Sequence, residues 1–296
     1  MKVLRSAYPR ASFNLLGVAV LTLTALQYAQ ASVSYSTAGS TYSQNFDSLP
    51  NTPSNASLGN SPTGWTDDNA SPGAGNFSIV GWYLYHPISQ TEGGFNGHQR
   101  VRVTSGGTTT GAFYSFGSVG STDRALGDIG SATLAADGAN IYIALRLSNN
   151  TGQALNSFTV GYTGEQWRDA GVSTAETMTF SWSTTATSVS DPTSSFNNVA
   201  ALNWTTPKAT GTAAALDGNN AANQVVLSPV TVTGLDWEPG TDLWLRFTDV
   251  QLVALADAGM GIDDFTFSAD TVVPEPSTFA LVGLGAVGLL IRRRRR

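Results

Sequence analysis

The chain of 296 residues has no cysteine. Disulfide staples, thiol catalysis and thiolate metal sites are excluded. Lysine is nearly absent too: between residues 32 and 271 only Lys208 occurs. The two histidines, His86 and His98, stand in no His-x-His or His-Glu-x-x-His spacing, so a catalytic zinc site has no ligand set. No Gly-x-Ser-x-Gly elbow marks a hydrolase nucleophile. No glycine-rich phosphate cradle leads into a helix. Long amphipathic helical periods are missing from a middle dominated by Ser, Thr, Gly, Asn and Ala.

What is present first is a pair of ends. Lys2, Arg5 and Arg10 precede an apolar stretch from Phe13 to Leu26, and Ala29-Gln30-Ala31 follows. A basic region, an apolar region and an Ala-x-Ala site in that order make a secretory signal peptide. Its partners are the Sec translocon and signal peptidase. Cleavage after Ala31 makes Ser32 the first mature residue; an uncleaved N-terminal anchor is the alternative. At the other end, Val273-Pro274-Glu275-Pro276-Ser277 leads into an uncharged run from Phe279 to Ile291. Arg292, Arg293, Arg294, Arg295 and Arg296 close the chain. As a helix the run is about 20 Å long against a hydrocarbon core of roughly 30 Å. It is a short transmembrane helix, stopped by arginines that stay on the cytoplasmic side.

This tail resembles the PEP-CTERM sorting signal of Gram-negative bacteria, with Pro274-Glu275-Pro276 as its motif and helix and basic cluster in the same order. The resemblance implies recognition by an exosortase, a membrane cysteine protease-transpeptidase, and cleavage near Pro274–Pro276. A plain C-terminal membrane anchor is the alternative. The expected organisation is a signal peptide over 1–31, a folded domain over 32–270 and a sorting signal over 271–296. The expected destination is the cell surface, the outer envelope or the extracellular matrix of a biofilm.

With both ends set aside, 7 basic and 20 acidic residues remain, a net charge of −13. Nucleic acid, which needs its phosphates neutralised by Lys and Arg, is excluded as a partner. Divalent cations and neutral glycans suit such a surface.

The middle reads as all-β. Ile141, Ile143, Leu145 and Leu147 alternate with other residues, as do Phe158, Val160 and Tyr162. Met178, Phe180 and Trp182 repeat the pattern, then Leu243, Leu245 and Phe247, then Phe265 and Phe267. This is the period of half-buried strands. Asn149–Gly152, Leu216–Asn219 and Glu238–Gly240 supply turns. The architecture predicted is one large β-sandwich of jelly-roll type. Leu49–Gly75 and Ser183–Asn203 are expected to be surface excursions.

Candidate sites are few. Tyr162-Thr-Gly-Glu-Gln-Trp-Arg168 is the densest polar-aromatic run. Glu165, Trp167 and Arg168 can form a sugar site, with the indole as stacking platform. They can equally form a structural corner, with Arg168 paired to Glu165 or Asp169. No second acid is visibly paired with Glu165, as glycosidase chemistry requires. Trp82-Tyr83-Leu84-Tyr85 alternates, leaving Tyr83 and Tyr85 as core cover or as a sugar-stacking strip. Asp249, Asp257, Asp263 and Asp264 supply hard oxygen donors of the kind calcium takes, without EF-hand spacing.

The pairing of Ile262-Asp263-Asp264-Phe265 with Asn45-Phe46-Asp47 resembles secreted jelly-roll modules. In those, first and last strands are neighbours and a carboxylate from each shares a structural cation. That resemblance makes Asp47 and Asp263 metal candidates, with Ca²⁺ as the cofactor; the alternative is turn-capping. Asp123–Gly127, Tyr162–Arg168, Ala215–Asn219 and Gly261–Phe265 together resemble exported bacterial β-sandwich modules of unassigned role. The function expected is a non-catalytic structural or adhesive surface protein that binds extracellular polysaccharide. The rival is a carbohydrate-active enzyme or binding module using Glu165 and Trp167.

Overall fold

Alternation of apolar and polar residues becomes strand after strand. In a computed structural model the described residues are 32–51, 63–65, 76–77, 79–87, 90–92, 95–97, 100–132, 134–136 and 138–271. The signal peptide up to Ala31, His98 and the whole sorting tail from 272 lie outside them. Among the described residues there is no α-helix, only three short 3₁₀ turns, and no helix long and apolar enough to cross a membrane.

Two sheets make a sandwich. The first orders Val33–Tyr35, Asn140–Asn149, Asp242–Val250, Thr177–Ser183 and Asn197–Asn198, with Trp82–Tyr85 also paired to Asn140–Asn149. The second is centred on three long antiparallel strands, Gln224–Trp237, Leu155–Asp169 and Gly259–Asp270. It continues through Ala125–Ile129, Ala112–Phe116 and Arg100–Thr104. The expected all-β sandwich is therefore what the chain forms. Each residue named above for the inward alternation is buried in one core, apart from Trp182, which is half-buried and packs against it. Across the interior Trp82 stacks on Phe247, and its edge meets Phe265 and Phe46 at 5.3 and 4.9 Å. Burying aromatic area of this kind is the main stabilising term for a chain without disulfides.

The outer face of the first sheet is covered as well. Tyr83 and Tyr142 are buried on the outside of the first sheet with Trp244. Residues 183–198 fold over them and place Phe196 and Val189 on the aromatic patch. Arg246 is clamped there, its guanidinium 3.5 Å from the Phe196 ring centroid and donating to the carbonyls of Val189 and Asp191. Ser183–Asn203 is thus cover rather than excursion. Tyr83 offers no stacking face to solvent, and Tyr85 stacks on Tyr142. Most of Leu49–Gly75 lies outside the described residues.

The last strand neighbours Tyr42–Gln44, the second strand, and not the first; Val33–Tyr35 runs parallel to Asn140–Asn149 in the opposite sheet. The segment that carries Asp47 is therefore delivered to the last strand by Tyr42–Gln44.

Candidate functional site

The central strand pair is irregular where it carries its acids. Opposite Leu155–Asp169, the register of Gly259–Asp270 slips by one residue between Thr266 and Asp263, and Asp264 takes a φ of +49°. A β-bulge of this kind re-aims side chains at a sheet surface. Asp263 lands on the outer face beside Glu165, which pairs with Gly261 two residues away. Nearby, Phe46 is buried with a φ of +56°, and this left-handed residue turns Asp47 toward the same place.

Five chain segments meet there. A cleft of about 300 Å³ is lined by Asn45, Asp47, Asp123, Glu165, Asn219, Gln224, Asp263 and Asp264, and by no apolar residue. It gathers five carboxyls and three amides. Asn45 Nδ2 donates to Asp47 Oδ2 at 2.7 Å, and Asn219 Nδ2 to Asp123 Oδ2 at 2.7 Å. The Arg124 backbone N–H reaches Asp47 Oδ1 at 3.4 Å. The Arg124 side chain is buried and donates to Ser115 and Ser118, and from there its charge offsets part of the rise at Asp123.

Glu165 is held from two sides. Trp167 Nε1 donates to its Oε2 at 2.9 Å and Gln224 Nε2 to its Oε1 at 3.0 Å. Burial pushes its pKa up to about 7 against the pull of those two bonds; Asp123 and Asp264 add to the rise. Asp263 is pushed up to about 9, by burial first and then by Glu165, Asp264 and Asp123. Asp123 is raised by burial and by Asp47. Mutual repulsion of this density is relieved by protons or by a cation. All-oxygen donors suit a hard cation such as Ca²⁺. Among the described residues, however, no group of three or more His, Asp or Glu side chains stands ready-arranged for a metal ion. The carboxylates would have to close on the ion as it binds.

The candidates drawn from sequence divide. Asp47 and Asp263 come together in the cleft, and Glu165 joins them. A second acid does stand beside Glu165, namely Asp263, which the sequence did not reveal because the bulge sets the pairing. Trp167 lies under the floor at 1% exposure, its ring stacked on Phe116 at 6.0 Å with a 7° tilt. A Cβ at Gly218 would come within 2.3 Å of its indole edge. In this arrangement it supports Glu165 and presents no open platform. Arg168 lines a different cleft, with Gln251 and Asp257, and donates to the Gly106 carbonyl. Asp169, whose carboxylate accepts from Gly171 and Thr210, lies close enough to act on the Arg168 charge. Asp123, Asn219 and Gln224 were missed as site residues. The signal for the first two was their place in Asp123–Gly127 and Ala215–Asn219, read only as markers of fold.

No curated protein sequence matches the chain. Solved structures similar at low level include three sugar-binding or adhesin domains. One is the CBM22-1 xylan-binding domain of Paenibacillus barcinonensis Xyn10C, at 12% identity, TM-score 0.34, over 81% of this chain and 100% of that one. Another is the K1 cleaved adhesin domain of Lys-gingipain from Porphyromonas gingivalis, at 14% identity, TM-score 0.31, over 78% and 99%. The third is the CBM61 module in complex with β-1,4-galactotriose, at 8% identity, TM-score 0.27, over 51% and 74%. Likeness at this level carries nothing about ligand. The tail is another matter: residues 272–296 match the PEP-CTERM protein-sorting motif, which marks this chain as an exported protein sorted to the cell surface with exosortase as its processing partner.

Proposed function

We propose that the chain is a cell-surface or extracellular-matrix protein whose sandwich is a non-catalytic adhesive module. Its acidic cleft holds a structural Ca²⁺ through Asp47 and Asp263, and glycan hydroxyls complete the coordination of that ion. The observation that carries this reading is the convergence of five carboxyls from distant segments in one solvent-open cleft. Calcium takes six to eight oxygens, so side chains closing from one side leave positions for a ligand. The −13 charge of the exported span and the absence of any nucleophile–histidine marker agree with it.

The test is a melting curve and a glycan array, each with Ca²⁺ and with chelator. A ligand that binds only the native state stabilises it. Calcium at about 100-fold its dissociation constant is expected to contribute about 2.7 kcal/mol. That contribution should shrink in Asp47→Asn/Asp263→Asn, and array binding should disappear with it. Equal melting with and without chelator removes the cation. Silence across the array removes the adhesive role.

A second reading rests on one observation, the elevated Glu165 beside Asp263. Paired carboxyls pushed toward different protonation states are the working parts of glycosidases. Specific turnover of a polysaccharide, abolished by Glu165→Gln, would establish it in place of the first.

The two ends of the chain are tested together by intact mass of the protein recovered from its host's envelope and medium. The mature species is expected to begin at Ser32 and to end near Pro274–Pro276. A full tail still present would show that exosortase does not process it.

A further inference from the structure

A second group of acids lies inside the sandwich, away from the outer cleft. Asp128 pairs with Phe113 and Met260, both core residues, so its side chain shares their inward face. Asp249 follows Leu245 and Phe247 in the inward alternation of the facing sheet, opposite Ile141. Glu176 stands two residues before the buried Met178, and Gln251 two residues after Asp249. All four are buried, Asp128 at 1%, Asp249 at 2%, Glu176 at 3% and Gln251 at 2% exposure. Glu176 Oε2 and Gln251 Oε1 face no hydrogen-bond donor, and Asp128 Oδ1 and Asp249 Oδ2 have none besides a proton held between these two carboxyls. Buried polar atoms are nearly always satisfied, so two orphaned oxygens beside a carboxyl pair that has only a proton between its members call for an electrophile.

The remaining polar atoms of Glu176, Asp249 and Gln251 are fixed. Glu176 Oε1 accepts from the Ala258 N–H at 2.5 Å, and Asp249 Oδ1 from the Val250 N–H at 2.9 Å. Gln251 Nε2 donates to Asp257 Oδ2 at 2.7 Å, which commits the amide nitrogen and leaves the amide oxygen as the free end. Gly130 lets the backbone come close: a Cβ there would meet Asp257 Cγ at 2.8 Å and Gln251 Oε1 at 3.0 Å. A cleft of about 240 Å³, lined by Gly130, Ser131, Arg168, Gln251 and Asp257, reaches the Gln251 end of this group, while Asp128, Glu176 and Asp249 lie deeper and do not line it. Burial raises Asp128, Glu176 and Asp249, and neighbouring carboxylates add to the rise of the first two, as expected of carboxyls left without a counter-ion.

We propose that this is a second cation site, in which a hard divalent ion of the calcium type is held between the two sheets by Asp128, Glu176, Asp249 and the amide oxygen of Gln251. Oxygen-only donors with one neutral amide suit Ca²⁺. No three of these carboxylates stand at metal-binding spacing beforehand, so the ion draws the four oxygens inward as it binds and ties Asp128 of one sheet to Asp249 of the other. Without it, these two carboxyls face each other closely enough to share a proton. The site does not depend on the outer cleft, since no side chain is common to both.

The experiment uses the full-length chain in detergent with Asp47→Asn and Asp263→Asn, so that any ion counted is not in the outer cleft. After loading with Ca²⁺ and removal of free metal, bound calcium is counted by atomic emission, and melting is followed with Ca²⁺ and with EGTA. One retained equivalent is expected, with a melting temperature about 5–10 °C lower in EGTA. Adding Asp128→Asn should abolish both. Should that variant not fold, Glu176→Gln serves in its place, with at least a tenfold loss of affinity expected. No retained calcium and identical melting in EGTA would overturn the proposal and leave protons as the neutraliser. Retained calcium indifferent to Asp128→Asn and to Glu176→Gln would overturn it as well.

Discussion

Trp167→Ala is expected to lower the melting temperature by roughly 10 °C, through a loss of about 3–5 kcal/mol. The ring is buried, stacked on Phe116 and edged by Gly218, so its removal opens a cavity under the outer face that backbone strands cannot collapse to fill. It also strips Glu165 of one of its two donors. Trp167→Phe separates the two effects. It keeps most of the stacking and loses the N–H, leaving a buried carboxylate oxygen unsatisfied at a cost of about 1–3 kcal/mol. Thermal melts and a glycan array on both variants distinguish support from recognition. A Trp167→Ala protein that melts like the parent and loses glycan binding would restore the stacking-platform role and displace the supporting one.

The second large effect is on pH. In chelator, the protein is expected to lose stability as pH rises from about 5 to 8. The sign follows from the direction of the shifts. Glu165 rises from 4.5 when unfolded to about 7 when folded. The folded state therefore binds more protons over that window, and its advantage, complete below 4.5, drains away up to about 7. For Glu165 alone this is on the order of 3 kcal/mol. Asp263, raised to about 9, acts in the same direction and extends the decline to higher pH. Glu165→Gln should flatten the acidic part of the curve. Calcium should oppose the decline, because it binds the ionised carboxylates that protons otherwise occupy. Its stabilising increment should then grow with pH. Melting temperatures across this range, with Ca²⁺ and with EGTA, read both trends. Stability that rises with pH in EGTA would mean that the cleft carboxyls are paired with cationic groups and ionised in the folded state.

Much of the fold was legible because alternation is a local property. Ile141 to Leu147 and Leu243 to Phe247 announced which residues face inward before any pairing was known, and all of those inward residues are in the core. The same alternation held a clue that was passed over. Asp128 follows Leu126 by two, and Asp249 follows Phe247 by two, so both sat at inward positions where an acid is out of place. Ser183–Asn203 misled because its polarity is that of a loop. Its few apolar residues, among them Val189 and Phe196, find their partners only across the first sheet.

By itself the sequence determined the sorting motif over 272–296, the β class and the inward faces of the strands. These are written in composition, order and period along one stretch of chain. Tertiary structure decided the rest. The bulge at Asp263–Asp264 and the left-handed Phe46 set which acids share a cleft, since register and backbone hand depend on the strand alongside. Burial turned Trp167 from a candidate platform into a prop, and separated Arg168 from Glu165 by putting them in different clefts. The facing of Asp128 and Asp249 exists only once two sheets lie against each other, because an interaction between residues more than a hundred positions apart has no local signature.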